Sequence, residues 1–225
     1  MKKLLAAIIA AALLLSGCTS ASRPAESAPP TGTPSPSPTP IVTPTPEPEP
    51  ADGELVLVRD YIPGIFIDLK YATTDNFTGQ VIYDSDEAYL RYGTVKKLLA
   101  AQNELSGRGL SLKIWDAYRP VSAQFKLWEI CPNPVYVSNP NNGYSKHSRA
   151  NTVDITLVTS TGESIPMPSG FDDFTSLADR DYSDVSAEAA ENARLLESIM
   201  VENGFVPYSG EWWHYSDSVS YDVYE

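Results

Sequence analysis

The sequence predicts an α+β domain: a mainly antiparallel sheet with flanking helices and a candidate site on one face of the sheet. Three observations carry this. Helical and strand patterns alternate irregularly from residue 52 onward, with no repeat and no βαβ rhythm. Residues 152–158 alternate polar and apolar, so Val153, Ile155 and Leu157 face one way and Thr152, Asp154 and Thr156 the other. Around Leu98 and Leu196 the apolar residues instead recur at spacings of three and four, as on a helix.

Residues 1–51 stand apart from that domain. Lys2 and Lys3 precede an apolar run over 4–15, shorter than the ~20 residues a membrane-spanning helix needs. Leu15-Ser16-Gly17-Cys18 follows, with small residues where a signal peptidase would cut. This stretch resembles the lipobox of bacterial lipoproteins. The resemblance implies cleavage before Cys18, lipidation of its sulfur and a chain anchored outside the cytoplasm, on the extracytoplasmic side of a cell membrane. The alternative is an ordinary signal peptide with an incidental Cys18. Residues 19–51 are rich in Pro, Ser and Thr, with 11 of the chain's 19 prolines between Pro24 and Pro50. Alternating proline favours extended polyproline II and cannot build a core, so this segment reads as a stiff tether.

The domain spans 52–225. It holds 13 basic against 26 acidic residues, and this balance argues against nucleic acid as a partner. Cys131 has no second domain cysteine to pair with and reads as a small apolar residue rather than a nucleophile. Residues 54–58 and 62–69 read as strands, with a turn near Pro63-Gly64. From about 85 to 105 the pattern is helical, stopped by Gly107 and Gly109. Leu110, Leu112 and Ile114 alternate toward Trp115-Asp116 as a strand. Pro120 can open a helix that Pro132 closes after Cys131. Residues 132–146, with three prolines, four asparagines and Gly143, form a loop. Ser186 caps a helix running to Asn203, with Gly204 at its end. Residues 205–215 read as one final strand.

The chemistry concentrates on the chain's two histidines. His147 lies in Ser145-Lys146-His147-Ser148-Arg149, seven residues before Asp154, and His214 closes Glu211-Trp212-Trp213-His214. Two imidazoles and one carboxylate form a recurrent ligand set for catalytic zinc, with a position left for water; cobalt or iron would accept the same ligands. Glu211 suits the role of general base. Positions three apart in a regular strand face opposite ways, so Glu211 and His214 can share a site only if the strand bulges or turns at Trp212-Trp213. The two tryptophans themselves read as core or pocket wall. Arg119, held extended by Pro120, could stabilise an oxyanion or bind a carboxylate; a plain salt bridge is the alternative.

These blocks, with Asp116-Ala117-Tyr118-Arg119-Pro120 and above all Asp68-Leu69-Lys70-Tyr71-Ala72-Thr73-Thr74-Asp75-Asn76-Phe77-Thr78-Gly79, resemble the zinc D-alanyl-D-alanine dipeptidases of the vancomycin-resistance type. Cys131-Pro132-Asn133-Pro134 and Gly170-Phe171-Asp172 match as well, so the likeness runs in order over about 62–215. It implies one Zn²⁺ on His147, Asp154 and His214, Glu211 as base and then acid, and Arg119 on the tetrahedral intermediate. It also implies that Tyr71 and Asp172 hold the substrate ammonium and Ser145 its carboxylate. The implied reaction is hydrolysis of D-Ala-D-Ala to D-alanine. The alternatives are a D,D-carboxypeptidase trimming peptidoglycan stem peptides, or a non-catalytic binding module on the same fold. The chain departs from the family at Ala150, where glycine is usual, at Asn151-Thr152, and in lacking a histidine over 173–183.

Overall fold

The computed structural model describes residues 48–224. Cys18, the apolar leader and nearly all of the tether lie outside the described residues. Among those residues no helix is long and apolar enough to cross a membrane.

A five-stranded sheet carries the domain. In chain order the elements are β1 (Leu55–Leu57), α1 (Val58–Tyr61), β2 (Phe66–Ile67), β3 (Tyr89–Arg91), α2 (Tyr92–Ser106), β4 (Leu110–Asp116), α3 (Val121–Ile130), β5 (Thr152–Thr159), α4 (Ala187–Glu202), β6 (Phe205–Tyr208) and β7 (Glu211–Asp217). The spatial order is β2-β4-β5-β7-β6; only β2 and β4 run parallel, so the sheet is mainly antiparallel as expected. β1 and β3 form a separate antiparallel pair. Helices α2 and α4 pack on the sheet and on each other, and Val153, Ile155 and Leu157 are buried with Leu98, Leu105 and Leu196. β5 is buried on both faces: Thr152, Asp154 and Thr156 are covered as fully as their apolar neighbours.

Three expectations need correction. Residues 62–69 are not one strand, because Gly64 turns in the left-handed region (φ 81°) and only Phe66–Ile67 reach the edge of β4. The helix expected from 85 begins at Tyr92. Leu90 belongs to the helical spacing of apolar residues but is buried as the partner of Val56 in β1, and the Arg91 backbone is extended. Residues 205–215 are a hairpin, not a strand: Ser209-Gly210 separate β6 from β7. The remaining boundaries fall close to the expected ones. Pro120 sits at the start of α3 and Cys131 at its end, and the Ser186 hydroxyl accepts the Ala189 N–H as a cap.

Two local features set up the site. The β6–β7 register jumps from Pro207 opposite Tyr215 to Tyr208 opposite Glu211, which leaves Trp212, Trp213 and His214 without partners in β6. The short turn Lys146–Arg149 ends on Ala150, fully buried at φ 58°, ψ 29°. Glycine enters that left-handed region freely and alanine does so at a cost, so the departure at Ala150 places a strained backbone between His147 and Asp154. The turn is braced from outside: Arg91 donates to the carbonyls of Arg149 (3.1 Å), Gly53 (2.7 Å) and Asp222 (2.8 Å).

Ala150→Gly is expected to change the unfolding free energy by less than about 1 kcal/mol, because relief of strain and loss of one buried methyl oppose each other. Ala150→Val puts β-branched bulk into a buried left-handed position and is expected to cost more than about 2 kcal/mol. Urea unfolding of the chelated protein measures both, and a valine variant as stable as the parent contradicts the backbone assignment.

Candidate active site

The site begins as a row across three strands. Asp116 on β4 pairs directly with Asp154 on β5, and Asp154 pairs directly with His214 on β7. Directly opposed residues of antiparallel strands share a face, so the three side chains stand side by side. His147 joins them from the turn before β5, where the Ser145 hydroxyl accepts its backbone N–H.

The imidazoles are aimed. Nδ1 of His147 lies 2.8 Å from the Ala117 carbonyl, which can only accept. That nitrogen therefore carries a proton, and Nε2 faces Asp154 Oδ2 at 3.3 Å. His214 Nδ1 is 2.9 Å from Asp154 Oδ1. Ligand atoms of His147, Asp154 and His214 all lie within 4.8 Å of one another. Despite the nearby imidazole, Asp154 Oδ1 is buried without a hydrogen bond of acceptable geometry. A buried carboxylate oxygen left in this state, beside two imidazole nitrogens, is the donor set a cation fits, and N₂O with an open position suits zinc. Burial alone would raise the Asp154 carboxyl; the two imidazoles outweigh it and hold it well below the usual carboxylate range.

Glu211 opens β7, and its Oε2 reaches within 3.4 Å of His214 Nδ1. Strict alternation would send residues 211 and 214 to opposite faces. The irregularity expected at Trp212-Trp213 is present and turns both toward the site. Burial, together with the Asp154 charge, pushes the Glu211 carboxyl up to about 7. Trp212 and Trp213 are buried, with Trp212 Nε1 donating to Ser169 Oγ at 2.9 Å. Trp212, Trp115, Phe171 and Tyr71 follow one another edge to face or tilted, with ring centroids 5.6–5.7 Å apart.

Arg119 takes part in a buried ion pair: its Nη2 is 2.5 Å from Asp116 Oδ2, Nη1 donates to Gln124 Oε1 at 2.9 Å, and Nε to Tyr83 Oη at 3.3 Å. The salt bridge foreseen as the alternative is thus present, and the same guanidinium lies 5.0 Å from the Tyr71 ring centre. Tyr71 donates to Asp172 Oδ2 at 2.6 Å. Asp172 has a left-handed backbone (φ 52°), and burial pushes its carboxyl up to about 7. Ser145 lines a cleft of about 300 Å³ with Tyr136, Lys146, Tyr208, Glu211 and His214. Among the described residues, all the candidates therefore gather in one region.

Four contributors were not legible as such. Asp116 was visible only as part of a motif, yet it anchors Arg119 and accepts the Tyr83 hydroxyl at 2.5 Å. Its place at the polar end of β4 was the one available signal. Tyr83 and Gln124 had none, and Arg180, which holds the backbone of β7 from a distant loop, had none either.

Comparison with known proteins gives a family and several relatives for the chain. The family described as D-ala-D-ala dipeptidase matches residues 51–222. The chain is 39% identical to the D-alanyl-D-alanine dipeptidase of Escherichia coli (strain K12) over 162 residues, covering 72% of this chain and 83% of the relative. It is 36% identical to the D-alanyl-D-alanine dipeptidase of Enterococcus faecium, covering 69% and 87%. With the Streptomyces coelicolor protein of the same name the identity is 37%, covering 73% and 91%.

Zinc at 100 times its dissociation constant should stabilise the chelated protein by about 2.7 kcal/mol. Asp154→Ala should remove that shift, and calorimetric scans with and without zinc test this. Asp172 has its folded value above the unfolded value of ~4. Its contribution is therefore full below pH ~4 and lost as pH rises through about 7. Chelated Asp172→Asn protein should lack this loss; an unchanged slope of stability between those pH values would refute it.

Proposed function

We propose, for a chain that belongs to the D-ala-D-ala dipeptidase family, that this cleft is a zinc active site hydrolysing the free dipeptide D-Ala-D-Ala to two D-alanines. The observation that carries this is the convergence of His147, Asp154 and His214, with the Glu211 carboxylate 3.4 Å from His214 Nδ1.

His147 and His214 offer neutral nitrogens, and Asp154 an anionic oxygen, to the ion. Zinc held there would act as a Lewis acid, making water a nucleophile near neutral pH. Glu211, poised near pH 7 by burial, takes the proton of the attacking water. The water oxygen adds to the peptide carbonyl carbon and the C–N bond then breaks. Glu211 returns the proton to the departing nitrogen. Arg119, its charge secured by Asp116, would stabilise the oxygen on which negative charge develops. The Tyr71–Asp172 pair receives the substrate ammonium, whose charge must be matched when it leaves water. Ser145 hydrogen-bonds the carboxylate.

A second reading, a D,D-carboxypeptidase acting on peptidoglycan stems, draws on the long Pro-rich tether, which suits a wall-sized substrate. The block from Tyr71 to Gly79 and the relatives named D-alanyl-D-alanine dipeptidases favour the dipeptide. A binding module without catalysis is disfavoured by the retention of every proposed catalytic group. The leader, with Cys18 behind its apolar run, supports a lipid-anchored protein acting outside the cytoplasm, attached to the membrane through its tether.

Purified protein should release D-alanine from D-Ala-D-Ala, faster than from a stem pentapeptide, and lose this on chelation. Glu211→Ala should lower kcat by about 10²–10⁴-fold with zinc still bound. Faster release from the pentapeptide would move the assignment to a carboxypeptidase, and zinc binding without release from either would leave a binding module.

A further inference from the structure

The bulge that turns Glu211 and His214 toward one ion also weakens the strand that carries them. Residues 212–214 have no partners in β6, so ladder bonds are missing where the two side chains need the most exact placement. Arg180 supplies the missing donors. Its Nη2 donates to the carbonyl oxygens of both Glu211 (3.1 Å) and His214 (3.2 Å), and its Nε to that of Tyr208 (2.7 Å). One guanidinium thus spans the end of β6, the start of β7 and the residue that closes the bulge.

The guanidinium is itself fixed. Nη1 donates to Glu197 Oε2 on α4 at 3.0 Å and to the Tyr215 hydroxyl at 3.1 Å, and Cζ lies 4.6 Å from the Tyr215 ring centre. Its side chain is 10% exposed. Five N–H donors in a rigid plane can meet several acceptors at once, which a lysine ammonium on a flexible stem cannot do in the same geometry. Arg180 touches neither the cleft nor the proposed ligand atoms, so it acts through Glu211 and His214.

We propose that Arg180 is a positioning residue: by bonding the backbone on both sides of the β7 bulge, it holds the Glu211 carboxylate and the His214 imidazole at the spacing that metal binding and proton transfer require. This rests on the reading of His214 as a zinc ligand and Glu211 as the base. Outer contacts that orient a metal ligand commonly govern affinity as well as rate.

The test compares the full-length parent with Arg180→Ala, Arg180→Lys and Glu197→Gln. Three quantities are measured: zinc affinity by competition with a chromophoric chelator, the visible spectrum of the cobalt-substituted protein, and kcat and KM for D-Ala-D-Ala. Zinc affinity should fall about 10–100-fold in Arg180→Ala, with an altered cobalt spectrum. The fall in kcat should exceed any rise in KM. Arg180→Lys should recover only part of the loss, and Glu197→Gln should show a smaller shift in the same direction. If Arg180→Ala does not fold, the lysine and Glu197 variants carry the same comparison. Variants with lower melting temperature but with zinc affinity, cobalt spectrum and kcat all within about twofold of the parent show a merely structural arginine and overturn the proposal. A parent that binds no zinc overturns the metal reading and this proposal with it; a zinc-binding parent matched by its variants overturns only the role of Arg180.

Discussion

The Asp154 carboxylate, buried between two imidazoles on the central strand, is the constraint around which the rest of the site is arranged. An ionised group taken out of water costs several kcal/mol unless its charge and lone pairs are met. Here the partners come from both directions: His147 from the turn that precedes β5, and His214 from the neighbouring strand. Each partner is in turn held by backbone. The Ala117 carbonyl sets the tautomer of His147, and the register of β5 against β7 puts His214 directly opposite Asp154. Between His147 and Asp154, Ala150 takes a left-handed backbone conformation (φ 58°) that costs alanine more than glycine.

Burial then separates the carboxylates by protonation. Asp154 is held well below the usual range, while Glu211 and Asp172 are pushed up to about 7. Groups of one chemical kind acquire different roles because their surroundings differ. Asp116, at the β4 end of the row, complements this: its oxygens meet Arg119, Tyr83 and the Ala117 N–H, so the Arg119 guanidinium is already paired and oriented. A guanidinium preorganised in this way needs no rearrangement when charge develops on a substrate.

Much of the fold was legible because its patterns are local. The alternation over 152–158, the cap at Ser186 and the prolines bracketing α3 depend on residues within a few positions of one another. The errors arose where a local pattern served a distant partner. Leu90 fits a helical stripe, but Val56 claims it for a two-stranded ribbon. Residues 205–215 look continuously extended, and only pairing of the chain with itself reveals the turn at Ser209-Gly210. β5 reads as a strand with one polar and one apolar face, and only the folded chain shows that both are buried.

By itself, the sequence determined the chemistry available: two histidines, each near a carboxylate, in a chain with no other plausible ligand set of that kind, and Asp154 on the polar face of a strand by simple parity. It also contained the condition for the base, since residues three apart meet only if the strand is irregular. Tertiary structure alone decided that the condition is met. The register of β6 against β7 creates the bulge, the cross-strand alignment of Asp116, Asp154 and His214 creates the row, and Arg180 reaches from a separate loop to hold both. These are contacts between residues far apart along the chain, and spacing in a sequence carries no measure of distance across a sheet.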